Sequence, residues 1–118
     1  MIYENEMLST HGHAELMHYE ERLKTVLGDE AFTFATEMLT ETAISGALDR
    51  QKLIALQRFQ DLPDRNVEEV QREILWVLEH DGYLKQTSNG YGFVSNLVRD
   101  WWRRRHELRY IPVAKRKG

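Results

Sequence analysis

The chain has no cysteine among its 118 residues, which removes disulfides, thiolate metal ligands and cysteine nucleophiles together. Its two prolines, Pro63 and Pro112, leave few places where a helix must break. Seven glycines are scattered, and none falls in a GxxxxGK[ST] phosphate loop or a GxGxxG fingerprint. Nucleotide binding by this chain alone is therefore not expected. No apolar run approaches the roughly 18 residues that cross a bilayer. The acidic opening, Met1 to Glu6, lacks the apolar centre of a secretory signal. A cytoplasmic location without membrane contact is the expectation.

What is present suits one globular domain over residues 1–118, with a hydrophobic fraction of 42% and a charged fraction of 30%. The formal charge of −3 hides a gradient: residues 1–48 carry −7, residues 49–94 carry −2 and residues 95–118 carry +6. Such asymmetry fits a nucleic-acid patch, docking of one end on the other, or an acidic partner.

Apolar spacing organises the chain. Residues 1–13 have no clear period and are read as an arm. Leu16, Tyr19, Leu23 and Val26/Leu27 mark one helical face, closed by Gly28. Asp29 is read as the cap of a second helix with Phe32, Ala35, Met38/Leu39 and Thr42/Ala43 on one face, ended by Gly46. Leu48 is the candidate anchor of a short strand pairing with a downstream ribbon. Asp49 caps a third helix through about Phe59, with Leu53, Leu56 and Phe59 inward, before Pro63 forbids continuation. Asn66 and Glu69 form a capping-box pattern ahead of Val67, Val70, Ile74, Val77 and Leu78. Trp76 flanks that stripe, and Asp81-Gly82 ends the helix.

Asn89-Gly90 predicts a hairpin with a two-residue I′ turn, Leu84 and Phe93 facing the core and Lys85 and Gln86 facing water. Ser95 caps a last helix with Leu97/Val98, Trp101 and Leu108 inward. Pro112 is expected to end order, leaving 108–118 as a tail. The fold class is mainly α: a winged helix-turn-helix with a two-stranded wing over 46–107, preceded by two helices over 14–45 and closed by a C-terminal helix.

The chemistry of an enzyme is hard to find. His11 and His13 could bind a metal together with His18, but a metal site needs a held ligand set. Glu20, Glu21, Glu37 and Glu41 sit off the apolar stripes and read as solvated, whereas acid–base carboxylates need burial to separate their pKa values. No Ser/His/Asp set stands out. A non-catalytic protein without metal or cofactor is expected.

Winged helices commonly read DNA, and a recognition helix then presents Arg, Lys, Asn or Gln. Over residues 66–80 the exposed positions are expected to be Glu68, Glu69, Gln71, Arg72, Glu73 and Glu79, and the wing adds only Lys85. That face would repel phosphates. The basic cluster Arg99, Arg103, Arg104, Arg105 and Arg109 either binds phosphates, docks on an acidic surface such as another copy's first half, or covers Trp101 and Trp102 with its stems. Adjacent tryptophans point about 100° apart on a helix, so Trp102 is expected at the core's edge or on a partner. Candidate interaction residues are Glu68, Glu69, Arg72, Glu73, Trp102, Arg103, Arg104 and Arg105.

Leu78 to Leu84, the short wing with Tyr91 and Phe93, and Ser95 to Arg104 resemble the C-terminal winged-helix region of STAND-type ATPases, relatives of the AAA family. His18 to Leu23 and Val26-Leu27-Gly28 resemble the helical stretch preceding it. The similarity covers roughly residues 11–107, and the DGYL…F…S-L-RDWW order is its most specific part. The resemblance implies a non-catalytic regulatory module that packs on an ATPase core or another protein, homo-oligomers included. The P-loop, acidic metal-binding strand and sensor residues of the whole ATPase are missing, so the chain is either an excised domain or a stand-alone remnant. The alternative function is a nucleic-acid-binding regulator using the basic C-terminal helix.

Overall fold

The computed structural model describes residues 10–116, with side chains from Glu15 onward. In order, the elements are α1 (Thr10–Leu27), α2 (Asp29–Ser45), α3 (Arg50–Gln57), α4 (Val67–His80), β1 (Leu84–Thr87), β2 (Gly90–Phe93) and α5 (Asn96–His106). Two 3₁₀ turns follow, Glu107–Arg109 and Val113–Lys115. The chain is mainly helical, with one two-stranded antiparallel sheet. Helix α1 begins at Thr10, so residues 10–13 extend a helix and do not belong to an arm.

The capping signals act locally. Asp49 accepts from the Lys52 amide at 2.9 Å, Asn66 from that of Glu69 at 3.1 Å, and Ser95 from that of Val98 at 3.3 Å. Asp29 does not cap α2. Gly28, at φ 83, takes the N-cap without a side-chain bond, and Asp29 and Glu30 place negative charge in the first turn. Helix α3 stops at Gln57, before Phe59, which is 38% exposed.

Helix α2 is the centre of the molecule. It touches α1, α3, α4, α5 and β2, and Ala31, Phe34, Ala35, Met38, Leu39 and Ala43 are all buried on it. Thr40, Glu41 and Thr42 are buried as well, so this helix is covered on more than one face. Thr40 and Thr42 donate to the carbonyls of Thr36 and Met38, both at 2.7 Å, which satisfies their hydroxyls within the helix.

The sheet pairs Leu84 with Phe93, Lys85 with Gly92, Gln86 with Tyr91 and Thr87 with Gly90. Leu84 and Phe93 face the core, and Lys85 and Gln86 are exposed. The turn differs from the expected I′ form. Ser88 and Asn89 occupy its centre, neither has positive φ, and Gly90 alone is positive at φ 115. A I′ turn needs two positive φ values. Leu48 makes the expected bridge to the ribbon, exchanging backbone bonds with Tyr91 of 2.7 and 3.0 Å.

The C-terminal residues are not a loose tail as far as Arg116. The Tyr110 hydroxyl donates to Glu41 at 2.7 Å, and the Val113 amide donates to the same carboxylate oxygen at 2.9 Å. Arg116 pairs with Glu37 at 2.9 Å and lies over the rings of Phe59 and Tyr110. Pro112 does not end order: it stands at the N-cap of the Val113–Lys115 turn. Leu108, expected inward, is 94% exposed, because α5 gives way to a 3₁₀ turn before it and the inward stripe loses its phase.

Candidate functional site

Helix α4 carries half of the expected interaction residues, Glu68, Glu69, Arg72 and Glu73. Its core side is Val70, Gln71, Ile74, Leu75 and Leu78, all buried. The opposite side shows Glu68, Glu69, Arg72, Glu73, Trp76, Glu79 and His80, all exposed. Gln71 does not belong to this surface. It is buried, accepts from Gln57 at 2.7 Å and donates to the Leu53 carbonyl at 2.9 Å, which ties α4 to α3.

Trp76 stands at the middle of the exposed face. Residues three, four and seven positions away on a helix are its neighbours, which here are Glu69, Arg72, Glu73, Glu79 and His80. The indole is 65% exposed and stacks on His80 with centroids 4.8 Å apart. Two grooves border this face. Glu68 and Arg72 line one of about 380 Å³ with Arg50, Leu53 and Ile54 of α3. Glu73, Trp76 and Val77 line the other, of about 320 Å³, with Val26, Leu27 and Ala31 from the α1–α2 corner. Val26 is 56% exposed, so the second groove is an open apolar surface. At its edge Glu73 is paired with Arg65 at 3.5 Å, an exposed contact of little energetic weight.

The arginines of α5 belong to a different seam. Arg105 reaches across to Glu20 of α1, with its Nε and a terminal nitrogen each 3.0 Å from one carboxylate oxygen, and His106 Nε2 lies 2.7 Å from the other. Arg103 pairs with Glu107 at 2.8 Å. Arg104 and Arg109 stay exposed and make no ion pair among the described residues. The basic end of the chain therefore docks on its acidic beginning within one molecule.

Trp102 leaves the set of surface candidates. It is fully buried, donates from Nε1 to Thr40 at 3.0 Å, and meets Tyr83 edge-on at 6.0 Å. Trp101 is also buried, at 5% exposed, with the Arg105 guanidinium 5.6 Å from its ring. Both tryptophans fit inside because α5 runs between α2 on one side and the α1 seam on another.

Glu20 and Glu41, read from the helical pattern as solvated, are 7% and 3% exposed. Glu41 is held by Tyr110 and Val113, and burial, followed by the bond to the Glu41 carboxylate, pushes the Tyr110 hydroxyl far above its usual range. Burial alone would raise the Glu20 pKa, but the bonds from His106 and Arg105 outweigh it and leave the value lowered. A depressed folded pKa contributes stability that is complete above the unfolded value and is lost as pH falls through the folded one. Glu20→Gln is expected to cost about 2 kcal/mol at neutral pH. In urea denaturation the gap between wild type and variant should then close as pH falls below the usual glutamate value of 4.5.

Sequence periodicity missed this seam because Arg105 and Glu20 lie 85 residues apart. No group of three or more His, Asp or Glu is placed to hold a metal among the described residues. The side chains of His11 and His13 lie outside them, and His18 is exposed. No helix among the described residues is long and apolar enough to cross a membrane. No family model, curated protein or solved structure matches the chain.

Proposed function

We propose that the chain is a non-catalytic winged-helix domain that docks on protein, acting as a regulatory module of a STAND-type ATPase. The observation that carries this reading is the exposed face of α4, where Glu69, Glu73 and Glu79 neighbour Trp76, Glu68 lies further along the same helix and only Arg72 is cationic. An aromatic anchor ringed by polar residues is the arrangement found at the energetic centres of protein interfaces.

The winged-helix assignment is supported by the order of parts. A core helix leads to the Leu48 bridge, then to two helices, then to a ribbon whose second strand takes that bridge. The assignment to an ATPase rests on the resemblance carried by Leu78 to Leu84 and Ser95 to Arg104. In this reading α4 occupies the place of a recognition helix with its charge inverted.

A nucleic-acid role for the α5 arginines is the weaker reading. Six or more cationic contacts support useful affinity at cellular salt. Arg105 and Arg103 are already engaged with Glu20 and Glu107, which leaves Arg104 and Arg109 as the open cations of that stretch.

The test is addition of the chain to a STAND-type ATPase core with hydrolysis as the readout. The wild-type chain should change the rate. Glu68→Lys, Glu69→Lys and Glu73→Lys combined should abolish at least about nine-tenths of that change, since juxtaposed like charges at an interface cost several kcal/mol. An undiminished effect of the triple variant would remove α4 from the contact.

A further inference from the structure

Two exposed apolar features lie on opposite-charge grounds in this molecule. One is the groove lined by Val26, Leu27, Val70, Trp76 and Val77, with Glu73 on its edge paired to Arg65, which also lines it. Glu69 shares its helical face, four residues before Glu73. The other feature is a projection. Leu108 is 94% exposed and Ile111 is 60% exposed, in the segment that leaves α5. Arg109 follows Leu108 directly and Arg104 precedes it by four residues, both exposed. Neither feature is covered by the described residues of its own chain.

We propose that the Leu108 projection of one copy inserts into the Val26–Trp76 groove of a second copy, with Arg104 and Arg109 facing Glu69 and Glu73 across the contact. The complementarity is double. An apolar knob meets an apolar recess, and a basic surround meets an acidic one. Interfaces of this kind put the desolvated apolar contact at the centre and the charges at the rim, where they set approach and register. Knob and groove are different patches, so each copy gives one and receives one, and the contact joins copies head to tail. The inference rests on the reading of the α4 face as a protein-docking surface and names the partner as another copy of the same chain.

The free cation count also favours a protein contact of this kind. Arg105 and Arg116 are committed to Glu20 and Glu37 inside the fold. The two arginines left around Leu108 would meet an α4 surface on which Glu68, Glu69, Glu73 and Glu79 outnumber Arg72. Burial of Leu108 removes the largest exposed apolar side chain by fraction among those described.

Sedimentation of the full chain over a range of concentrations is the experiment. The mass should rise with concentration at low salt and fall back as salt screens the rim. Leu108→Asp, which disables the knob, and Glu69→Arg with Glu73→Arg, which disables the groove, should each weaken association by roughly tenfold or more. All three substitutions are on exposed side chains, and circular dichroism verifies that the fold is retained. An equimolar mixture of the two variants should restore pairwise association, because each retains the half that the other lacks. A chain that stays monomeric at every concentration overturns the inference, as does association untouched by Leu108→Asp. If self-association fails while the α4 charge reversals still alter ATPase hydrolysis, the docking reading stands and only its partner is wrong. If neither responds, both fall.

Discussion

Trp102→Ala is expected to destabilise the domain by about 4 kcal/mol, the range for removing a buried aromatic side chain. The indole is fully buried between Thr40 of α2 and Tyr83, the residue before β1. Its ring lies 4.4 Å from that of His106, tilted by 34°, and the His106 ring also holds Glu20. Removing it leaves a cavity and cuts the support beneath the Glu20–Arg105 seam. Against a typical domain stability of about 5–15 kcal/mol, that is a large fraction of the whole, and the melting temperature should fall by roughly 15 °C. Trp102→Phe keeps most of the packing and loses the bond to Thr40, so a cost of about 1–2 kcal/mol is expected. Thermal melts of the two variants check the ordering. A small effect of Trp102→Ala would contradict the central position given to this side chain.

Gly90→Ala should cost about 3 kcal/mol, through a route that involves no apolar burial. A Cβ at this position would lie 2.5 Å from the Leu48 carbonyl oxygen and 2.9 Å from the Asp49 Cα. Backbone cannot yield as a flexible side chain does, and the φ of 115 is itself unfavourable for alanine. The bridge from Leu48 to Tyr91 then opens, and with it the tie between the α2–α3 joint and the ribbon. Gly92→Ala is the internal comparison. Its Cβ would meet the Thr87 methyl at 3.4 Å, an ordinary contact, and its cost should stay under about 1 kcal/mol. Urea denaturation gives both numbers, and amide exchange at Leu48 and Tyr91 shows whether the bridge is what opened.

The parts of this fold that were legible from the chain are the local ones. Asp49, Asn66 and Ser95 cap because their side chains meet amides three residues on, which needs no tertiary information. The Leu48 bridge was expected from its place between two helices ahead of a ribbon. Helix α4 was legible because one side is buried and the other is free, so its periodicity is clean.

Helix α2 was not legible in the same way. A helix surrounded by α1, α4, α5 and residues 110–113 buries polar residues too, and the off-stripe position of Glu41 then says nothing about exposure. The same reason hid Glu20 and put Trp102 at an imagined edge. Each depends on a segment more than 60 residues away. Of the interaction candidates, Glu68, Glu69, Arg72, Glu73, Arg103 and Arg104 lie on the surface, while Trp102 does not and Arg105 is tied to Glu20.

The most direct measurement is a titration of isotope-labelled chain followed amide by amide, once with a STAND-type ATPase core and once with duplex DNA at increasing salt. The account predicts that the protein shifts the amides of Glu68, Glu69, Glu73 and Trp76, and that DNA leaves them unmoved with no steep salt dependence. DNA binding that moves these same amides, or that vanishes with salt and with alanine at Arg103, Arg104 and Arg105, would contradict it.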